Sequence, residues 1–173
     1  SSVDSLKKIQ CEIDSTLKSK TFELTGATTS LKTTTKVKEL SAKNVVGFIE
    51  GSDTTLKNEI VIIGAHYDHV GYKKKHDDST DYIFNGADDN ASGTSGVMAI
   101  AAGFAAMKQK PKRSVLFMTF AGEEKGLFGS EAYVKHPLLP LNKTVAMLNL
   151  DMIGRNSVAT LYIIGAPKSP DLA

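Results

Sequence analysis

Seven side chains that read as candidate metal ligands or proton carriers fall in four short motifs of this sequence. His66 and Asp68 lie in His66-Tyr67-Asp68-His69, and Asp88 and Asp89 in Gly86-Ala87-Asp88-Asp89-Asn90. Glu123 and Glu124 follow Gly122, and Asp151 follows Leu150. Gathered in one crevice, six carboxylates and one imidazole would repel strongly in a low-dielectric site, and no Lys or Arg stands within these short motifs. A divalent metal is the economical counter-charge, and two serve better than one. All-oxygen sets suit magnesium or calcium, whereas mixed imidazole and carboxylate ligands suit zinc. With His66 in the set, zinc is the expectation.

Singly, each residue has a plainer reading. Asp88 and Asp89 could cap the helix that follows them and favour its dipole. Glu123-Glu124 could be a solvated loop and Asp151 a turn residue. His69, His76 and His136 read as surface or capping histidines. The joint pattern decides for the metal site, because a ligand type follows each of three apolar, strand-like runs, directly or after a single glycine.

Those runs are the elements that must position the chemistry. Glu59 to Ala65 and Ser114 to Ala121 are continuous apolar stretches of the kind buried on both faces of a sheet. Thr144 to Leu150, Thr160 to Ile164 and the short Val45 to Glu50 complete the predicted core strands. From Ser92, Val97, Ile100, Ala101, Phe104 and Ala105 share one helical face, and this helix ends before Pro111. Gly126 to His136 reads as a short helix stopped by Pro137. Residues 4–19 place Leu6, Ile9, Ile13 and Leu17 at helical spacing. The Thr-rich stretch 20–40, with Gly26 in a turn, predicts two antiparallel strands at one sheet edge. Residues 72–85 are charged and aperiodic, a loop. Alternating strands and helices give an α/β fold, a three-layer α/β/α sandwich around a mixed, partly parallel sheet. In such sheets sites form beyond the carboxyl ends of the strands, where His66, Glu123, Glu124 and Asp151 all fall.

Composition narrows the classes. With 173 residues, 41% hydrophobic and 23% charged, the chain has the make-up of one globular domain and not of a disordered or fibrous one. Its 21 basic and 19 acidic residues leave a net charge of +2, without the basic footprint of a nucleic-acid binder. No apolar run reaches the roughly 18–20 residues of a spanning helix. One cysteine, Cys11, excludes an intrachain disulfide and leaves the redox compartment open. The chain opens on Ser1-Ser2, with neither an initiator Met nor an apolar leader, and closes on APKSPDLA soon after a strand-like run. The expectation is an excised or processed piece of a longer chain, which leaves its location open.

Four motifs in order, GAHYDHVG, NGADDNASGTSGV, FAGEEKGLFGS and LNLDMIGR, together with their strands over residues 45–155, resemble the dizinc exopeptidases of metallopeptidase family twenty-eight. That family includes bacterial leucyl aminopeptidases, aminopeptidase Y and glutamate carboxypeptidase. The resemblance implies His66 as the first zinc ligand and Asp68 as the acid that orients its imidazole. It implies Asp89, rather than Asp88, as the bridging ligand, with a non-proline cis bond at Asp89-Asn90. It also implies Glu123 as the catalytic base, and Glu124 and Asp151 as further ligands. His66, Asp89 and Asp151 would then hold one zinc, while Asp89, Glu124 and a further histidine would hold a second. The family's histidine lies downstream of the LNLDMIG motif, and none follows Asp151 here. The resemblance thus implies two zincs per complete domain, with one site complete in this chain. Residues 1–173 become a single partial catalytic domain, incomplete at its C-terminal end, with a helix-plus-hairpin lead-in over 1–40 and a metal-site core over 45–165.

The implied activity is hydrolysis of peptides, removal of N-terminal residues foremost, with Glu123 as general base to a zinc-activated water. Peptides are the implied partners and an exported, periplasmic or extracellular location is implied; side-chain specificity and oligomeric state stay open. Rival readings are a carboxypeptidase or a glutaminyl-cyclase-like relative of the same fold. An inactive binding module, a naturally shortened paralogue and a magnesium phosphoesterase also stand as alternatives.

Overall fold

The continuous apolar runs are the strands that form. The computed structural model describes residues 2–23, 25–73, 81–160 and 162–165. In it β1 (Val45–Ile49), β2 (Ile60–His66), β3 (Ser114–Phe120) and β4 (Thr144–Asn149) make one sheet in the order β1-β3-β2-β4. β2 runs parallel to β3 and to β4, and β1 pairs antiparallel with β3, so the sheet is mixed as predicted. Flanked on both sides, β2 has buried residues all along it, with only Val61 half-buried. That burial is why its sequence never alternates with polar residues.

Successive strand residues point to opposite faces, and here each face has its helix. Ile60, Ile62, Leu116, Met118 and Phe120 pack with Tyr133 of the short helix Phe128–Lys135, α3 in chain order. Ile63, Ala65, Val115 and Phe117 pack with Val97 of Gly93–Ala106, which is α2, and Ile100 and Phe104 close the edge of that cluster. Each fully buried Ile, Leu or Phe contributes about 1.5–3 kcal/mol, so both helices are held mainly by the strands they cover. The result is the three-layer arrangement. His66 pairs with Phe120, and Gly64 with Asn149, so the three parallel strands end at nearly one level.

The chain divides into two units, residues 1–39 and 40–173. The first contains α1 (Ser2–Thr16), where helical spacing predicted it. Of its apolar stripe, Ile9 and Ile13 are half-buried and Leu6 and Leu17 are exposed. Two expectations need correction. The Thr-rich stretch forms no strand among its described residues; Leu31, Val37 and Leu40 are all more than 80% exposed. An alternating sequence without a partner strand or a covered face gains neither ladder bonds nor burial. The antiparallel edge is built by β1 instead. Likewise, the described residues of the 160–164 run form no strand, and Tyr162, Ile163 and Ile164 lie exposed. In the 72–85 loop, Tyr72 and Ile83 form an isolated antiparallel bridge.

Candidate metal centre

Three strand ends and one helix entrance supply the site. The imidazole of His66, 3% exposed, stands at the end of β2. Its Nδ1 lies 3.1 Å from the backbone carbonyl of Asp68, nearer than the 3.8 Å to that residue's carboxylate. With the ring proton donated to this carbonyl, the Nε2 lone pair faces the crevice. There it meets Asp89 Oδ1 at 3.2 Å, Asp151 Oδ1 at 3.6 Å and Glu123 Oε2 at 3.9 Å. A single nitrogen cannot satisfy three carboxylates. Among the described residues no Lys or Arg pairs with any of them; the Lys and Arg ion pairs there engage Glu12, Glu50, Glu59 and Glu131.

The Asp68 carboxylate has another use. It accepts the backbone N–H of Glu123 (3.0 Å) on one oxygen and that of Glu124 (3.3 Å) on the other. It therefore fixes the turn after β3 against the end of β2, while its own carbonyl steadies the imidazole. The resemblance implies the carboxylate as the group that orients the imidazole; in this structure the Asp68 carbonyl is the nearer acceptor.

Asp89 is placed by its neighbour. The Asp89-Asn90 peptide is cis, and the side chain of Asn90 is buried to 1%. Its amide donates to Leu150 O at 3.0 Å, and its Oδ1 accepts from Gly93 N (2.9 Å) and Met152 N (3.3 Å). One amide group thus ties the start of α2 to the turn after β4, on either side of Asp151. Asp88 reinforces the tie from outside the crevice: its Oδ1 accepts the Gly154 N–H at 2.8 Å, and Ser92 Oγ donates to its carbonyl at 2.6 Å. Between the two adjacent aspartates the geometry separates a crevice residue, Asp89, from a bracing one, Asp88.

Two trios of possible ligands result, each with its donor atoms within 4.8 Å of one another: His66, Asp89 and Asp151, and His69, Asp89 and Glu124. Asp89 belongs to both and divides its oxygens, Oδ1 towards His66 and Oδ2 towards His69, 4.0 Å away. The first trio is the one expected. One imidazole and two carboxylates whose charge lacks a counter-cation are a donor set suited to zinc. Glu123 belongs to neither trio. It lines a cleft of about 290 Å³ with His66, Asp151, Leu127, Met147 and Asn149.

His69 reads from the sequence as a surface or capping histidine. It is 24% exposed and its Nδ1 is 2.6 Å from Glu124 Oε1. His136 is exposed at the end of α3, as expected, and His76 lies outside the described residues.

The chain is similar to known peptidases. Over 127 residues the chain is 32% identical to aminopeptidase YwaD of Bacillus subtilis, covering 71% of this chain and 25% of that protein. It is 33% identical over 114 residues to a probable zinc metalloprotease of Pyrenophora teres f. teres, covering 65% and 23%. It is 34% identical over 113 residues to a probable glutamate carboxypeptidase of Arthroderma benhamiae, covering 63% and 14%. The chain therefore spans a quarter or less of the length of these relatives. The sequence pattern of Peptidase family M28 matches residues 44–173, all four strands and every residue of both trios included, and the chain belongs to that family.

Proposed function

We propose that this chain carries the metal-binding and proton-transferring residues of a zinc aminopeptidase. The observation that supports this most directly is the convergence of Asp89, Asp151 and Glu123 on one imidazole nitrogen at the mouth of a cleft. His66, Asp89 and Asp151 would hold a zinc ion, with Glu124 and the second oxygen of Asp89 facing a neighbouring one. Zinc so held would supply Lewis acidity in the cleft and make a water there easier to deprotonate.

The chain's own residues do the rest. Glu123 stands beside the first trio without belonging to it, and so is free to accept a proton from water in the cleft and deliver it to the departing amine. Asp68 keeps Glu123 in reach by holding its backbone N–H. The cleft's apolar wall, Leu127 and Met147, offers a surface for a substrate side chain. The name of the Bacillus relative favours the amino end of the peptide, and that of the Arthroderma relative supports the carboxyl end as the second reading.

Glu123→Gln tests the assignment. Zinc content should be unchanged while hydrolysis of aminoacyl-nitroanilides falls by roughly 10²–10⁴-fold, the range for loss of a general base. Activity within a few-fold of the parent would remove Glu123 from the role. Hydrolysis confined to N-blocked peptides with a free carboxyl end would establish the carboxypeptidase reading instead.

A further inference from the structure

Glu123 sits on a loop whose own main chain leaves it little freedom. Glu123 O accepts the N–H groups of Gly126 (2.9 Å) and Leu127 (3.0 Å), and Gly122 O accepts that of Phe128 (3.1 Å). With Asp68 holding the N–H groups of Glu123 and Glu124, the main-chain donor and acceptor of Glu123 are both engaged. The loop from Ala121 to Gly129 therefore moves only as a unit. Where it points is settled at its neck, where Gly129 N–H donates to Ala121 O at 2.8 Å.

Asn44, the half-buried residue before β1, grips both sides of that neck. Its Oδ1 accepts the Ala121 N–H at 3.1 Å, and its Nδ2 donates to Gly129 O at 2.8 Å. The approach is close: a Cβ on Gly129 would collide with Asn44 Oδ1 and with the main chain of Ala121. The neighbouring Lys43 O in turn accepts the Tyr67 hydroxyl at 2.8 Å, and Tyr67 lies between His66 and Asp68. The segment before β1 is thus fastened to the end of β2 as well as to the loop after β3. Asn44 belongs to neither trio and is not part of the cleft wall. A residue that only ended β1 would need one of these bonds; the two together fix the separation and tilt of the loop's limbs. A reacting side chain has to be held to within about 0.5 Å by the groups around it.

We propose that Asn44 is a positioning residue for proton transfer: its amide sets where the Glu123 carboxylate stands relative to His66, Asp89 and Asp151. The inference rests on the reading of Glu123 as general base and adds a residue which that reading does not use.

A double-mutant cycle on the zinc-loaded enzyme tests it. Asn44→Ala should lower kcat for aminoacyl-nitroanilides by about 10–100-fold, the scale for misplacing a reacting group by about 1 Å. KM and zinc content should stay as in the parent, the pattern of an interaction that counts only in the transition state. In a Glu123→Gln background the same substitution should add no further loss, because the base it positions is gone. Amide exchange gives a readout apart from activity. Ala121 N–H should exchange roughly tenfold faster in Asn44→Ala, the equivalent of one hydrogen bond, while Met118 N–H within β3 keeps its rate. Asn44→Asp, which keeps the acceptor for Ala121 and turns an oxygen towards Gly129 O, runs the same kinetic cycle if the alanine variant does not fold. An unchanged kcat, an equal loss in both backgrounds, a loss that follows zinc release, or unchanged exchange at Ala121 in Asn44→Ala would overturn the proposal and leave Glu123 in its role. Full activity in Glu123→Gln would instead end the general-base reading and this proposal with it.

Discussion

Asn90→Ala probes the junction on which the whole centre depends. The Asn90 side chain makes two full-length hydrogen bonds, to Leu150 O at 3.0 Å and from Gly93 N at 2.9 Å, and a longer one from Met152 N at 3.3 Å. Gly93 N–H also reaches the Asn90 carbonyl, so it keeps part of its satisfaction after truncation. Leu150 O loses this donor, Met152 N–H loses this acceptor, and the removed amide leaves a void in a region 1% exposed. At about 1–3 kcal/mol for each buried group left unsatisfied, the expected loss is about 3 kcal/mol, roughly a hundredfold in the folding equilibrium. With a urea slope of about 2 kcal/mol/M for a domain of this size, the midpoint should fall by about 1.5 M. Zinc affinity should fall with it, because Asp89 and Asp151 lie next to groups that Asn90 joins. Asn90→Asp separates the two effects: it keeps the acceptor for Gly93 and Met152 but turns a carboxylate oxygen towards Leu150 O and adds charge beside Asp89. Equilibrium denaturation by circular dichroism, with zinc titrations on the same samples, is the assay. A midpoint shift no larger than that of a substitution at the exposed Asn156 would refute the reasoning that Asn90 clamps the site.

Two further outcomes follow from buried polar atoms. Tyr133 is 7% exposed with a hydroxyl that has no hydrogen-bond partner among the described residues, and burial pushes its pKa up. A neutral form favoured by folding contributes stability below the unfolded pKa of about 10, and that contribution is lost as pH rises through the higher folded value. Tyr133→Phe should leave stability at pH 7 unchanged or raised by up to about 1 kcal/mol and lessen the alkaline decline; a clear loss at pH 7 would show a partner for the hydroxyl. Ser114, wholly buried, donates to Lys57 O at 2.6 Å and accepts from Gly51 N at 3.0 Å. Ser114→Ala should therefore cost about 1–3 kcal/mol in thermal or chemical denaturation, whereas an unchanged midpoint would mean that the Gly51 N–H finds another acceptor.

What could be read from the sequence was what repeats or runs. Ile60, Ile62 and Ile63 announce a strand buried on both faces because the burial itself forbids polar residues there. The acids that follow such strands announce a shared edge, and the structure brings His66, Asp89, Glu123 and Asp151 within reach of one another there. Spacing alone could not distinguish a histidine with a distant partner from one without. His69 meets Glu124, whose position depends on the path of the chain through α2 and β3. Nor could spacing show that Asn90, between an aspartate and an alanine, would be buried as a tie between α2 and the turn after β4. The Thr-rich stretch misled for the opposite reason: its local alternation suits a strand, but strand formation is settled by partners and by a face to cover, neither of which is encoded locally.

The strand order has a consequence for time as well as place. β2 pairs with β3 only after the chain has passed through α2, and with β4 only after it has also passed through β3 and α3. Parallel pairings cannot start from a tight turn, and the entropy of closing a loop grows with the chain it encloses. The β2–β4 register is therefore the latest step expected in assembling the sheet, and it is the step that brings Asp151 to His66. Before it, the chain can present His66 and Asp89 but not their third partner. The first appearance of tight zinc capture during refolding would thus mark closure of the longest loop, making the metal a clock for the last strand to dock.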